Sequence, residues 1–203
     1  MLDFLDDSSG ERLALRPYRD DYDKRISAAA GNVSWKFERQ QHFREPGFAS
    51  WEAFARGDWG RALELIENER EGLEELARQA ADDGLRLLRV RVVEKPIEPY
   101  LQWELHLLRV RAECGEEIRV IGPERIRKLE ADGPLPELLT IGSDTLYRIL
   151  YDEDGVLEGA VIFTDRETVA QATDLIESLY EAGEDMGSYF QRKIARLEPP
   201  RGE

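Results

Sequence analysis

The chain has 203 residues, of which 41% are hydrophobic and 35% are charged, and its formal net charge is −15. This length supports one substantial hydrophobic core or at most two small ones. The negative charge argues against direct nucleic-acid binding, because such binding requires Lys and Arg side chains to neutralise phosphates.

The residue types also restrict where the protein works and what it holds. The N-terminal sequence MLDFLDDSSGERL lacks the basic and apolar regions of a signal peptide, and no apolar stretch is long enough to span a bilayer. We therefore expect a cytoplasmic protein without membrane contact. One cysteine and two histidines do not support a Cys–His metal site, and no cofactor is expected.

The two ends of the chain lack the periodicity of regular structure. Residues 1–32 are polar and acidic, which predicts a flexible N-terminal arm. Residues 193–203 include two consecutive prolines and predict a loose tail. We expect a single domain over residues 33–192, because no repeat or low-complexity linker divides them.

Seven of the eighteen aromatic residues lie between Trp35 and Trp59, interleaved with ionisable side chains. Glu, Arg and His side chains are costly to bury unpaired, whereas aromatic rings are the largest packing units. This segment therefore predicts either a pocket with polar walls or a structural corner whose charges are paired internally. We favour the corner, because most isolated Glu and His pairs are structural.

The aromatic segment nevertheless supplies the candidate site residues. His42 is the only group in it that titrates near neutrality, and Glu38 would share its face if the segment were helical. Glu38 and His42 are therefore the candidates for catalysis. The candidates for ligand binding are rings that would form the walls of a pocket and arginines that would hold an anionic group: Trp35, Trp51, Trp59, Arg39 and Arg91.

A long amphipathic helix is predicted to follow the aromatic segment. Asp58 is a suitable N-cap, apolar residues then recur at helical spacing, and Gly84 is a stop signal. Gly72 weakens the middle of this helix, so two helices joined there remain an alternative.

The middle of the chain is basic, in contrast to the rest. Residues 85–128 contain ten Lys and Arg and seven Glu, a net charge of +3, so the remainder carries −18. The run LRLLRVRVV predicts a strand over 85–93 with arginines on one face. A helix over 100–111, a strand over 117–121 and a short helix over 124–131 are predicted after it.

Four charged residues of this region are predicted to form an ion-pair network. Strand arginines opposite a helix glutamate favour such a network over a site for an anionic ligand. Its predicted members are Arg89, Arg91, Glu104 and Arg119.

The C-terminal third predicts a β-hairpin followed by a helix. Strands over 145–151 and 156–163 are joined by a turn at Asp152–Gly155, and Thr164 and Glu167 fit a capping box. The second strand is almost wholly apolar, which is typical of a central strand. The order of the predicted helices and strands along the chain indicates a mixed α+β domain, with N-terminal helices packed on a sheet of about four or five strands.

Separated blocks of the sequence resemble an uncharacterised actinobacterial family, a domain of unknown function. The blocks are WKFERQQHF from Trp35, SWEAF from Ser50, GDW from Gly57, VRVV from Val90 with Pro96, Tyr100 and Glu104 after it, and GEEIR from Gly115. Such proteins are often encoded beside helix-turn-helix regulators, so the resemblance implies a regulatory or accessory role. It implies no established activity.

The C-terminal hairpin and helix are also loosely similar to half of a phospholipase D-like fold. The H-x-K signature of that fold is absent, because His42 precedes Phe43-Arg44 and His106 precedes Leu107-Leu108. If the fold is shared, its catalysis is not expected.

Two hypotheses for function follow. The leading one is a non-catalytic cytoplasmic module that binds a small effector or a basic protein partner such as a helix-turn-helix regulator, because an acidic surface complements a basic one. It rests on the absence of phosphate-loop, dinucleotide-binding and serine-hydrolase motifs. The alternative is an enzyme or ligand sensor with a pocket in residues 35–59, where Glu38 and His42 handle protons.

Overall fold

The computed structural model describes Leu5 and residues 9–200, and it shows a mixed α+β fold. The strands are β1 (Glu11–Ala14), β2 (Val33–Glu38), β3 (Arg86–Val92), β4 (Glu117–Ile121), β5 (Leu138–Ile141), β6 (Thr145–Tyr151), β7 (Leu157–Phe163) and β8 (Glu184–Asp185). The helices are α1 (Leu15–Ser27), α2 (Ala49–Ala55), α3 (Trp59–Asn68), α4 (Arg70–Asp82), α5 (Pro99–Glu113), α6 (Arg166–Glu181) and α7 (Met186–Lys193).

All eight strands form one sheet, in the order β1-β7-β6-β5-β2-β3-β4-β8. The three strands β2, β3 and β4 are parallel, and every other pairing is antiparallel. The predicted fold class is confirmed, including the C-terminal hairpin and the helix after it. The sheet is larger than the predicted four or five strands, because β1, β5 and β8 have four residues or fewer and leave little periodicity to detect.

The N-terminal residues that the structure describes are part of the domain, in contrast to the predicted arm over residues 1–32. Strand β1 pairs with β7, and the ring of Tyr18 in α1 packs edge-on against Tyr147 at 5.2 Å between centroids. Residues 1–4 and 6–8 lie outside the described part. At the other end, the predicted tail over residues 193–203 is joined to the domain through Glu198, whose carbonyl accepts a hydrogen bond from Gln102, and residues 201–203 lie outside the described part.

The central strands separate apolar from charged side chains by simple alternation. Residues i and i+2 of a strand face the same side of a sheet. One face of β2 and β3 is apolar and packs on Ile176 and its neighbours in α6. The opposite face carries the charged residues Lys36, Glu38, Arg89 and Arg91. Helix α1 covers this second face beside β6 and β7, and helices α5 and α7 cover it beside β4.

The predicted helix boundaries are partly confirmed. Asp58 caps α3 by accepting a hydrogen bond from the amide of Arg61 at 3.0 Å, and the break before α4 falls at Glu69 rather than at Gly72. The short helix predicted over 124–131 is only a 3₁₀ turn at Pro123–Arg125. The cap of α6 is Asp165 rather than Thr164, because the Asp165 carboxylate accepts from the amide of residue 168. No helix within the described residues is both long and apolar enough to cross a membrane.

Replacing Asp58 with Ala is expected to lower the free energy of unfolding by about 1 kcal/mol, because the first amides of α3 lose their acceptor. Urea denaturation measures this loss. Glu64→Ala is the matched control, since Glu64 forms an exposed i,i+3 ion pair with Arg61 on the same helix, and such pairs contribute only about 0.2–0.5 kcal/mol. Equal losses in the two variants would contradict the capping role.

Candidate functional site

A cavity of about 760 Å³ opens where β2 and β6 end and β7 begins. Ligands of open α/β sheets commonly bind outside the carboxyl ends of strands. The floor of the cavity is the charged face of β2, and its walls are α1, α5, the loop 43–48 and the β6–β7 hairpin. Its ionisable and aromatic lining residues are Arg19, Lys36, Glu38, Phe43, Arg44, Glu45, Phe48, Tyr100, Glu104 and Tyr151.

The loop 43–48 is fixed to the β6–β7 hairpin. The amide of Arg44 donates to the carbonyl of Gly155 at 2.9 Å, where a positive φ of 79° closes the turn. Asp152 stabilises the same turn by accepting from the amides of Asp154 and Val156. The acidic turn therefore has a structural role, as the sequence predicts for Asp152–Gly155.

Helix α5 presents Tyr100 and Glu104 to the cavity from one face, because residues four apart lie one turn above each other. The Tyr100 hydroxyl donates to Oε1 of Glu45 at 2.7 Å. Burial raises the pKa of Glu45, although the hydrogen bond from Tyr100 opposes this effect. The Tyr151 ring contacts the Phe43 ring at 4.6 Å between centroids, which completes an aromatic wall.

A buried chain of ion pairs begins at Glu38, at the end of β2. Its two carboxylate oxygens contact Arg89 at 2.7 Å and Lys36 at 2.6 Å. Burial alone would raise the pKa of Glu38, but Arg89, Lys36 and Arg91 outweigh it and hold this pKa far below its ordinary value. Arg89 continues to Glu116 at 2.6 Å. Glu38 is therefore a fixed anion.

A second buried pair joins β3 to α5. Nε of Arg91 donates to Oε2 of Glu104 at 2.8 Å, and its Nη1 donates to the carbonyls of Glu38 and Val92. The Arg91 side chain is fully buried. Burial raises the pKa of Glu104 to about 7, and the nearby charge of Glu38 adds to this effect against the attraction of Arg91.

Glu137 is a third buried carboxyl group near these arginines. Its Oε1 accepts from the amides of Arg39 at 2.8 Å and Gln40 at 2.7 Å, while its Oε2 is buried without a hydrogen-bond partner among the described residues. Burial raises the pKa of Glu137 to about 7, and Arg91 opposes this.

Carboxyl groups outnumber cations in this connected region. The five carboxyl groups are those of Glu38, Glu45, Glu104, Glu116 and Glu137. The four cationic side chains are Lys36, Arg89, Arg91 and Arg111. Since like charges and burial both disfavour ionisation, some of these carboxyl groups must carry a raised pKa. At the cavity itself, the carboxyl groups of Glu38, Glu45 and Glu104 lie beside Lys36, and the exposed Arg19 and Arg44 also line it.

The predicted catalytic candidates are separated by the fold. Glu38 ends a strand and faces the buried network, so it does not share a helical face with His42. His42 lies in the loop after β2 and is exposed, and its ring is tilted against the Tyr100 ring at 5.2 Å between centroids, without entering the cavity wall. The other histidine, His106, packs between Trp59 and Phe190, and burial lowers its pKa to about 4.

The three tryptophans predicted to bind ligand do not surround one pocket. Trp35 packs against Tyr180 on the α6 side of the sheet, opposite the cavity. Trp51 and Trp59 pack among the helices with Trp103, whose indole Nε1 donates to Ser50 at 2.9 Å. Their positions support the structural corner for this part of the segment.

The predicted arginines have structural partners. Arg39 pairs with Glu130 at 2.6 Å and Glu94 at 2.7 Å. Arg89, Arg91 and Glu104 form ion pairs as predicted. Arg119 lies outside the network, because it is on the α6 side, where it donates to the carbonyl of Gly183 and covers the Tyr180 ring.

Lys36, Glu45, Tyr100 and Tyr151 are among the cavity residues that the sequence did not single out. A signal for Lys36 exists, because alternation in the run WKFE places Lys36 and Glu38 on one strand face. The helical spacing of Tyr100 and Glu104 is a second signal. Within the part of the chain that the structure describes, no group of three His, Cys, Asp or Glu residues is arranged to hold a metal ion.

The fold and this cavity define a mixed α+β domain with a polar cavity over a charged sheet face. A family model for a domain of unknown function, DUF6879, matches residues 20–191. The chain therefore belongs to the DUF6879 family, and the match includes β2 to β7 and α5, which form most of the cavity. No curated protein matches the chain.

Arg91→Met is expected to lower the free energy of unfolding at pH 8 by about 3–5 kcal/mol, because it leaves Glu104 as an uncompensated buried charge. Urea denaturation measures the change. The double variant Arg91→Met with Glu104→Leu should recover most of the loss, since it removes both charges. A double variant that is less stable than Arg91→Met would contradict this account of the pair.

Glu104 and Glu137 are expected to make the unfolding free energy fall as the pH rises from 5 to 8, whereas His106, with its pKa lowered from 6.5 to about 4, contributes a smaller rise in the lower part of this range. Glu104 and Glu137 have pKa values raised to about 7 in the folded state, above the ordinary value of 4.5. Their contribution to stability is therefore present at low pH and is lost as the pH rises through 7.

Glu104→Gln should flatten this profile, because the amide imitates the protonated carboxyl group. Glu113→Gln is the control, since two arginines hold the pKa of Glu113 below its ordinary value, despite the opposing effect of burial, and it stays ionised throughout this range. Denaturation curves measured at several pH values test both. An unchanged slope for Glu104→Gln would show that Glu104 does not titrate there.

Proposed function

We propose that this protein is a non-catalytic regulatory or accessory module that binds a small effector carrying a cationic group in the cavity above β2. The observation that carries the proposal is the carboxyl group of Glu45, which lines the cavity with Glu38 and Glu104 beside aromatic rings and has no ion-pair partner among the described residues. A cation placed there would offset the excess of carboxyl groups.

The aromatic wall supports a cationic group rather than a neutral one. Tyr100, Tyr151 and Phe43 line the cavity together with Glu45, and ring faces attract ammonium and guanidinium groups within about 6 Å. Arg19 and Arg44 also line the cavity and are exposed. These arginines suit a carboxylate or another polar group on the outer end of the same effector.

The walls of the cavity favour binding over catalysis. They contain no Ser, Thr, Cys or His side chain that could act as a nucleophile, and both oxygens of Glu38 are held by ion pairs. One observation favours an enzyme as the second candidate: Glu104, with a pKa raised to about 7, could transfer a proton near neutral pH. In that case Glu104 takes the role that the sequence assigned to Glu38 and His42.

The cellular setting of the proposal comes from the family resemblance. The resemblance supports an actinobacterial setting beside a helix-turn-helix regulator, which a cytoplasmic protein would meet as its basic partner. The net charge of −15 suits such a partner. Effector binding would then report the presence of a metabolite to the regulator.

Agmatine, choline and tryptamine are suitable probes for the cavity, with neutral and carboxylate analogues of similar size as controls. At least one amine is expected to bind in isothermal titration calorimetry, more tightly at pH 8 than at pH 6, because ionised Glu104, with its pKa raised to about 7, favours a cation. Glu45→Gln should weaken this binding by roughly tenfold or more, the equivalent of about 1.4 kcal/mol.

Glu153→Gln is the matched control, because Glu153 lies in the exposed hairpin turn and does not line the cavity. It should bind the amine as the unaltered chain does. Binding of the carboxylate analogues in preference to the amines would overturn the proposed ligand class. Recovery of a chemically changed amine after incubation would favour the enzyme instead.

A further inference from the structure

Helix α4 leaves an apolar face uncovered at the end of the sheet opposite the cavity, where β3 and β4 begin. None of its residues is buried, and Leu76 is 60% exposed. Among the described residues, Leu197 is the only other large hydrophobic residue classed as exposed, at 43%. The apolar periodicity of α4 therefore does not serve the core of the chain alone.

This face forms one side of a groove of about 690 Å³. The other side is the end of α5 together with the beginnings of β3 and β4. Its apolar lining includes Leu73, Leu76, Ala77, Leu85, Leu87 and Cys114. An open apolar groove beside a helix fits an amphipathic helix, which lays its apolar face into such a groove.

The rim of the groove is acidic. Residues 69–83 contain six acidic and two basic side chains, a net charge of −4. The arginines at the rim already have carboxylate partners: Arg78 pairs with Glu75, Arg86 with Glu117, and Arg111 with Glu116. Glu74 lines the groove and has no ion-pair partner among the described residues. Four carboxylates and three arginines line the groove, so the charge left unpaired there is that of Glu74, and the other acidic residues of 69–83 lie on or beside α4 outside the lining.

We propose that the groove beside α4 is a docking surface for an amphipathic helix with basic flanks, supplied by another protein. Charge complementarity identifies this occupant, because Lys and Arg beside the apolar face of such a helix would meet the acidic rim. A second copy of this chain is disfavoured, since it would bring a second acidic helix against the first. The surface is separate from the cavity, so the inference holds whether or not the cavity binds an amine.

A synthetic amphipathic peptide of about 18 residues, or five helical turns, tests the proposal with the full chain. Its Leu residues follow the i, i+3, i+4 and i+7 pattern and its other positions are mainly Lys. Fluorescence anisotropy should show saturable binding, and Leu76→Asn should weaken it by roughly tenfold, as expected for a central apolar contact. Leu197→Asn removes a comparable exposed leucine elsewhere and should leave binding unchanged. Circular dichroism confirms that both variants fold.

Three results would overturn the proposal. The first is equal binding of a scrambled peptide of the same composition, which would show attraction by charge alone. The second is that the amphipathic peptide binds Leu76→Asn no more weakly than it binds Leu197→Asn, which includes the case in which it binds neither variant nor the unaltered chain. The third is a concentration-dependent dimer of this chain that Leu76→Asn dissociates, because the groove would then be an interface between two copies.

Discussion

Two arginines buried on one face of β3 are the constraint around which the domain is organised. A buried guanidinium is costly unless carboxylates compensate it, and breaking such a pair costs far more than replacing it with apolar residues. The compensating groups come from separate elements: Glu38 from β2, Glu104 from α5 and Glu116 from the turn before β4. The pairing therefore fixes the register of the parallel strands and the position of α5 together.

The same pairing explains why a polar cavity exists above the sheet. An apolar face would allow α5 and α1 to meet over β2, but a charged one must be closed by groups that satisfy it. Burial raises the pKa values of Glu104 and Glu137 to about 7, and the nearby charge of Glu38 adds to this effect against the attraction of Arg91. The resulting surface is stable, but it has more carboxyl groups than cationic side chains around it. A cationic effector would compensate this difference.

Local features of the fold could be predicted from the sequence, and features that depend on distant pairing could not. The strand LRVRV, the Asp58 cap and the C-terminal hairpin each depend on neighbouring residues. The position of Glu38 depends on β2 being a strand. Strand β2 is stabilised by β3, about 50 residues away, and by β5, about 100 residues away. The alternation of residue types along β2 is difficult to recognise in the sequence, because aromatic residues continue after the strand ends. The cavity is lined by residues as far apart in the sequence as Arg19 and Tyr151. Patterns among neighbouring residues therefore could not predict its lining.

The two edges of the sheet are short: β1 has four residues and β8 has two. A long, flat, apolar edge strand invites pairing with other chains, and short edge strands are one way in which proteins avoid it. Strand β1 covers β7, whose inner residues are almost all apolar. Residues 11–14 therefore also protect the protein against aggregation. Without them, β7 would become an open edge strand on which amyloid-like stacking could begin.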